Sequence, residues 1–495
     1  MSDTAPAVVE THTAILWFAG DRVHKMKKPV DLGFCDFTTL ARRREACLRE
    51  IALNRRLSPE AYLGLETLIG PDGLAAEYMV AMRRMPGERR LAALVQAGEP
   101  VDDDLRALAR RLAAFHSGAA HGQEVDREGT LEAARLRWSG VLDGLRRHVG
   151  TVLPADLVDR VAADAEAFLA GRRALFDLRR ADGRVVDGHG DLLADDVFCL
   201  PGGPVVLDCL EFDDRLRFVD GLDDAAFLAM DLERLGGDRG AALADRFLGW
   251  YAEFADDPAP SALRHHFVAY RAAVRSAVTC VRVDQGGGSA SLARDLLDLA
   301  AEHLDAGRVR LVLVGGLPGT GKTTVAGGLA DRLGATLLSS DRVRKEIAGI
   351  DPGTPAGADY RGGLYRAEHT AATYDELLHR AQGLLARGES VVLDASWTAA
   401  TPREAANALA ARSSVPVIPL RCEAPRDVAD ARIRARRGAA SDATPLVAAV
   451  MAADADPWPE ATTVDTAGSV DDAVTAALSV VRAPGRRGSW TVVEV

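Results

Sequence analysis

Lysine is almost missing from this chain: Lys25, Lys27, Lys28, Lys322 and Lys345 are the only lysines among 60 Lys+Arg residues. The two cations interchange on a solvated surface but not where a compact ammonium must meet a phosphate, so the surviving lysines are informative. A Cys-x-x-Cys pair is also missing. The six cysteines (35, 47, 199, 209, 280 and 422) are scattered, which gives no metal framework and fits a reducing compartment. No apolar run reaches the roughly 18 residues a spanning helix needs. The opening MSDTAPAVVETHT shows no basic segment leading into an apolar one. The expectation is a cytoplasmic protein with no membrane partner. Net positive charge is missing too: a balance of -12 speaks against broad nucleic-acid or membrane-surface binding, so a phosphate site has to be built locally.

What is present is 495 residues, 48% hydrophobic and 27% charged, a globular composition with length for roughly two to four domains. Residues 15–30 alternate like two strands around Ala19-Gly20-Asp21, and a helix is expected over 39–57, stopped by Ser58-Pro59. Residues 75–82 read as a strand, 101–176 as mostly helical, 184–186 and 205–207 as short strands, and 223–282 as helices. Asp284-Gln285-Gly286-Gly287-Gly288-Ser289 reads as a linker. The expected division is a first domain over 1–306, including linker 284–290 and a connecting helix 291–305, a second over 307–483 with alternating β and α patterns, and a tail 484–495.

The most specific motif is Gly316-Leu317-Pro318-Gly319-Thr320-Gly321-Lys322-Thr323, lying between an apolar strand (309–314) and a helix (323–333). Glycines let successive N–H groups face one cavity, the helix N-terminus adds its dipole, and a lysine neutralises phosphate, so this pattern cradles a nucleotide. Thr323 is the expected Mg2+ ligand, and Thr324 joins the ATP-contacting set. Val391-Val392-Leu393-Asp394 ends a strand in a carboxylate suited to the same ion. In Ser339-Ser340-Asp341-Arg342-Val343-Arg344-Lys345, Asp341 is placed to take a hydroxyl proton and Arg344, one turn on, to hold an anionic acceptor group. The bland alternative is a helix cap followed by a basic face. Arg432, Arg436 and Arg437 have the spacing to close over phosphates, or else form a solvated basic helix. At these residues the segment 309–482 resembles the small P-loop kinases related to polynucleotide kinase and gluconate kinase, of the AAA_33 type. That resemblance implies phosphoryl transfer from ATP to a hydroxyl.

Upstream, His189-Gly190-Asp191 with Asp196 five residues later has the spacing of a kinase catalytic loop, and Val205-Val206-Leu207-Asp208 ends in a second carboxylate. Asp191 would orient and deprotonate the acceptor; Asp196 and Asp208 would face Mg2+. In His24-Lys25-Met26-Lys27-Lys28-Pro29-Val30, Lys25 and Lys27 share a strand face. One of them, with Lys27 favoured, would reach the α/β-phosphates while Glu50 on the next helix fixes it, and Lys28 would face solvent. A basic edge strand kept soluble by lysine is the alternative. His116, His265 and His266 read as structural, and Arg271 and Arg275, one turn apart, as helix surface, with contact to a substrate phosphate as the alternative. Residues 11–282, with HKMKKPVDLGF, EIALNRRLSPEAYL and HGDLLADDV, look like the aminoglycoside phosphotransferase family, in the subgroup where such a domain precedes a P-loop domain. Most of that family has Asn where this chain has Asp196.

The two resemblances imply an α+β, protein-kinase-like bilobal domain followed by an α/β three-layer P-loop NTPase domain with a parallel sheet. They imply an ATP- and Mg2+-dependent phosphotransferase with two nucleotide sites and small-molecule hydroxyl acceptors. The alternatives are a regulatory nucleotide-binding protein with a weakly active, pseudokinase-like N-terminal half, and a polynucleotide 5′-kinase activity in the P-loop half. Nucleic acid is otherwise not an expected partner, and these motifs name neither the acceptor nor an oligomeric state.

Overall fold

The computed structural model describes residues 7–483 except 12, 32, 34, 352–365 and 436–443. The expected tail 484–495 and the candidates Arg436 and Arg437 lie outside the described residues. The chain divides into two compact units: Met1–Ala163 with Phe176–Ala259 and Leu263–Asp305, and Asp164–Leu175 with Pro260–Ala262 and Ala306–Val495. Among the described residues no helix is long and apolar enough to cross a membrane.

The first unit begins with five strands, β1 (Ala7–Glu10), β2 (Ala14–Ala19), β3 (Arg22–Lys27), β4 (Tyr62–Ile69) and β5 (Ala75–Arg83), in the order β1-β2-β3-β5-β4. All neighbours are antiparallel. Gly20 supplies the left-handed turn (φ 59°) between β2 and β3. Strand β3 stops at Lys27 because Pro29, two residues on, has no N–H to donate. The helix α1 (Leu40–Asn54) is capped by the Thr39 hydroxyl, which accepts from Arg42 N at 3.3 Å. Its Cys47, Glu50, Ile51 and Asn54 recur at three- and four-residue spacing and are buried. Cys47 and Ile51 join Val23, Tyr62, Val80, Met82 and Val205 in one apolar core, so the helix lies against the sheet with Glu50 on its covered side. Strand β4 escapes a pattern reading because Gly64 (φ 156°) breaks its alternation where the pairing with β5 shifts register.

The chain continues through α2 (Leu91–Gln96), α3 (Asp102–Ser117), α4 (Gln123–Glu128), α5 (Leu131–Arg146), α6 (Ala155–Ala170) and α7 (Arg173–Ala181). Two small ribbons follow: β6 (Val185–Asp187) with β9 (Phe218–Asp220), and β7 (Val197–Leu200) with β8 (Gly203–Val206). They place Asp191 between β6 and β7, Asp196 in a short 3₁₀ turn just before β7, and Asp208 just after β8. Then come α8 (Gly221–Phe254), broken at Gly237 by non-helical dihedrals, α9 (Ser261–Asp284) and α10 (Ala290–Ala306).

The second unit is built on β10 (Leu311–Gly315), β11 (Thr336–Ser339), β12 (Val391–Asp394), β13 (Val417–Glu423) and β14 (Thr462–Asp465). The strands are parallel, in the order β11-β12-β10-β13-β14. Helices α11 (Lys322–Leu333), α12 (Ser340–Ile347), α13 (Ala367–Ala386), α14 (Ala400–Arg412), α15 (Arg426–Ala435), α16 (Pro445–Ala453) and α17 (Val470–Arg482) alternate with them. Leu311 to Val314 and Val391 to Leu393 are at most 1% exposed, as expected of strands covered on both faces. The order reverses at β10, whose successors lie on opposite sides, and such a switch point opens a crevice at the strands' carboxyl ends. Asp394 pairs in register with both Val314 and Ser339, so the loop after β10, the end of β11 and the end of β12 meet there.

Candidate functional site

In the first unit the lysine face of β3, the covered face of α1 and the segment after β8 converge. Lys25 Nζ lies 2.9 Å from Glu50 Oε1 and 2.7 Å from Asp208 Oδ1, while Lys27 Nζ lies 2.7 Å from Glu50 Oε2 and 2.5 Å from Glu211 Oε1. The two lysines differ in depth: the Lys25 side chain keeps 12% of its surface, Lys27 none. Of the two lysines on this face, Lys25 thus keeps a small exposed surface while Lys27, the one favoured from the sequence, is sealed between Glu50 and Glu211. Lys28 lies on the other face, 2.5 Å from Glu10 and part-exposed. Burial alone would raise the Glu50 carboxyl, but the two ammoniums outweigh it and hold it below the usual range.

Asp208 has a left-handed backbone (φ 64°), a conformation costing a non-glycine residue about 1–3 kcal/mol. It is held there by neighbours: Asp208 N donates to the Tyr62 hydroxyl (3.1 Å), Cys209 N to Asn54 Oδ1 (2.8 Å), and Leu207 N to the Asp196 carbonyl (2.9 Å). Although half of its side chain is exposed, the Lys25 ammonium keeps the Asp208 carboxyl below the usual range. Burial pushes Asp191 up, partly offset by Arg275 and His189. Asp196 is pushed well above the usual range, first by burial and then by Asp208 and Asp191. The carboxylates read from sequence are thus close enough to repel one another.

The loop carrying Asp191 hangs on residues that spacing did not reveal. Asp224, fully buried at the start of α8, accepts from His189 N (2.7 Å) and Gly190 N (2.9 Å) and contacts His116 Nε2 (2.9 Å). His116 Nδ1 in turn meets the Tyr251 hydroxyl at 2.8 Å, so this histidine's structural part is to brace the loop. Arg271, expected at the surface, is only 5% exposed; it donates to Asp223 (2.7 and 3.0 Å) and to the Gly190 carbonyl (3.3 Å). The signal available was the acid pair opening an otherwise apolar helix, GLDDAAFLAM. His265 and His266 stay within the helices, against His303 and Trp138.

Asp224→Asn is expected to cost about 3–5 kcal/mol, the usual price of breaking a buried charged network. Burial opposes ionisation of Asp224, but His116 and the loop amides win and hold its carboxyl below the usual range. A depressed carboxylate stabilises above its unfolded pKa, and that stabilisation fades as pH falls. The gap between wild type and Asp224→Asn in denaturant unfolding should therefore stay constant from pH 7 to about pH 4 and narrow as pH falls below that.

In the second unit Gly316, Gly319 and Gly321, in the loop that leads into α11, have φ of 142°, 85° and 79°. A Cβ on Gly316 would stand 2.6 Å from the Cys422 carbonyl oxygen, and one on Gly319 2.5 Å from that of Ala429. The loop between Leu317 and Thr320 is pinned by Thr320 Oγ1 donating to the Leu317 carbonyl (2.8 Å) and Thr466 Oγ1 to the Thr320 carbonyl (2.7 Å). Helix α11 starts at Lys322 with no side-chain cap, which leaves its first N–H groups directed at an anion. Gly319→Ala should cost about 1–3 kcal/mol in backbone strain. Calorimetry would register it as a fall of several degrees in the melting of this unit.

Asp394, 3% exposed, is raised by burial, opposed by Lys322 and by hydrogen bonds from Thr323 and Ser339, while Asp341 pushes the same way as burial. Its Oδ1 has no hydrogen-bond partner. Thr323 and Thr324 are exposed. Arg344 donates to Asp341 Oδ1 at 2.8 Å, so the two acceptor-side candidates are engaged with each other. Arg432 donates to the Thr466 carbonyl at 2.8 Å beside Gly321, while Lys345 is buried. Tyr374, unsuspected from sequence, sets its hydroxyl between Ser396 Oγ (3.3 Å) and Trp397 N (3.2 Å), just beyond Asp394.

These donors suit Mg2+. Among the described residues no three His, Cys, Asp or Glu side chains form a metal cage. Mg2+ is instead commonly held by one or two carboxylates together with phosphate oxygens and water. The unpartnered Asp394 oxygen beside the Thr323 hydroxyl is such a half-set, and Asp208 with Asp196 is another.

The AAA_33 family model, an AAA domain, matches residues 311–457. Among solved structures, a choline/ethanolamine kinase family protein from Mesorhizobium loti aligns at 14% identity over 61% of this chain and 88% of its own, with TM-score 0.39. A sugar kinase from Janibacter sp. HTCC2649 aligns at 23% identity over 35% of this chain and 94% of its own, with TM-score 0.27. An uncharacterised protein of Mycobacterium tuberculosis (strain H37Rv) is 45% identical over 479 residues, spanning 96% of this chain and 95% of that protein. The chain belongs to the family of this mycobacterial protein, and its residues 311–457 match an AAA domain.

Proposed function

We propose that the protein is a phosphotransferase with two nucleotide sites, each moving the γ-phosphoryl group of ATP to a hydroxyl of a small molecule. The observation that carries this reading is the meeting of Lys25, Glu50 and Asp208 across 183 residues of chain, beside the Asp191 loop. That is an ammonium for phosphate, a buried acid to aim it and a carboxylate for a cation, with a base at hand.

In the N-terminal half Lys25 binds the phosphates, Asp191 orients the acceptor hydroxyl and takes its proton, and Asp196 and Asp208 would hold Mg2+. In the P-loop half the loop amides and Lys322 bind the phosphates, Asp341 takes the acceptor proton, and Arg344 holds an anionic acceptor group. Thr323 and Asp394 would hold Mg2+ there, and Arg432 closes on the phosphate side. Mg2+, when bound, would neutralise phosphate charge. The protein's own share is positioning and electrostatics, because phosphoryl transfer asks little covalent chemistry of it.

A second reading, a regulatory nucleotide-binding N-terminal half, is favoured by one observation. Asp196 adds a third carboxylate beside Asp191 and Asp208 and is itself pushed well above the usual range. The two readings separate in a screen of hydroxyl compounds, 5′-hydroxyl oligonucleotides included, followed by ADP release on wild type, Lys322→Ala and Asp191→Asn. The phosphotransferase reading expects each substitution to remove a different transfer. Transfers untouched by both would end it; transfers untouched by Asp191→Asn alone, with ATP still bound to that half, would select the regulatory reading.

A further inference from the structure

One lysine would suffice to bind phosphate, yet two ammoniums converge on Glu50. This acid is fully buried, and a buried carboxylate is stable only while its charge is compensated. Lys25 alone would be a poor counterion for it, since turning that ammonium toward a phosphate would leave Glu50 uncompensated at the moment of binding. Lys27 has no such second task. Its side chain has no exposed surface, its Nζ is held 2.5 Å from Glu211 Oε1 and 2.7 Å from Glu50 Oε2, and it lies 5.4 Å from the centre of the Phe37 ring. Glu211 itself follows Asp208 by three residues, so one short segment is fastened to β3 at two rungs, Asp208 to Lys25 and Glu211 to Lys27.

We propose that Lys27 is a positioning residue: braced by Glu211, it is the fixed counterion of Glu50 and thereby sets where Lys25 meets phosphate. This role requires the N-terminal half to bind ATP as proposed above, and the test is arranged to tell the two apart.

In the full chain carrying Lys322→Ala, with the residual P-loop binding fitted as a separate second site, affinities of the N-terminal site for ATP with Mg2+ and for adenosine are measured by titration calorimetry. Lys27→Met alone leaves Glu211 and Glu50 short of a cation and can unfold the half, so the deciding variant is Lys27→Met/Glu211→Gln. It removes one charge of each sign and leaves the attraction of the region for a polyanion unchanged. Its affinity for ATP with Mg2+ is expected to fall about tenfold, the scale of a misplaced charge-assisted hydrogen bond, with adenosine affinity unchanged. Unaltered ATP affinity, or an equal loss for adenosine, overturns the positioning role. Lys25→Met is the reference. If it weakens ATP binding while the double variant does not, only the role of Lys27 falls; if Lys25→Met also leaves ATP binding intact, the N-terminal nucleotide site falls with it.

Discussion

Replacing Lys322 by alanine is expected to lower kcat/KM for ATP at the P-loop half roughly 10²–10³-fold, the usual loss when one preorganised cationic or hydrogen-bond donor is taken from a developing phosphate charge. Binding should suffer less than transfer. The loop amides between Gly316 and Thr320 and the uncapped start of α11 stay in place, and they favour an anion without the lysine. There is also a second effect on Asp394. Lys322 is the first of the groups offsetting the burial of that carboxyl, so its removal drives Asp394 further toward the neutral form and weakens Mg2+ retention. Single-turnover transfer at rising Mg2+ would reveal this as a partial recovery. Full recovery would mean that Lys322 acts only through the cation, and a wild-type kcat/KM at ordinary Mg2+ would remove it from the site.

Asp191→Asn should reduce transfer by the N-terminal half about 10²–10⁴-fold, the range expected when a positioned general base is lost. Affinity for ATP should stay within about threefold, because Lys25 and Asp208 are untouched. Stability should not fall with activity. Asp191 adds to the like-charge repulsion that raises Asp196, and an amide of the same shape relieves it, so the melting temperature is expected to hold or rise by a few degrees. A variant that loses activity and several degrees of melting together would mark Asp191 as a structural acid rather than a base.

Which parts were legible in advance follows from how far apart in the chain the cooperating groups lie. The P-loop is a local device: three positive-φ glycines, a lysine and a helix start within eight residues. Lys25 and Glu50 could be placed on the faces that the structure brings together because strand and helix periodicities fix which way each points, while Asp191, Asp196 and Asp208 could be picked out only by their spacing along the loops. The groups that hold them were not. Asp224 reaches His116 across 108 residues and Arg271 reaches Gly190 across 81, and no spacing rule encodes such meetings. A basic helix residue without a visible partner reads as surface, as Arg271 did. The order of Lys25 and Lys27 has a different cause: two residues on one strand face are equivalent by periodicity, and only the residues packed over them decide which is sealed.

The long reach of the Lys25–Asp208 contact also has a consequence during synthesis. At about 5–20 residues per second, the 183 residues between these partners take on the order of ten to forty seconds to follow β3 out of the ribosome. Through that interval the nascent sheet carries two lysines and Glu50 without the segment that completes their cluster. Closing so long a loop adds little to its equilibrium cost, which grows only logarithmically with length, but it delays assembly. A ribosome stalled before Asp208 should therefore expose a protease-sensitive β3, and protection should arrive only once the chain has passed Glu211.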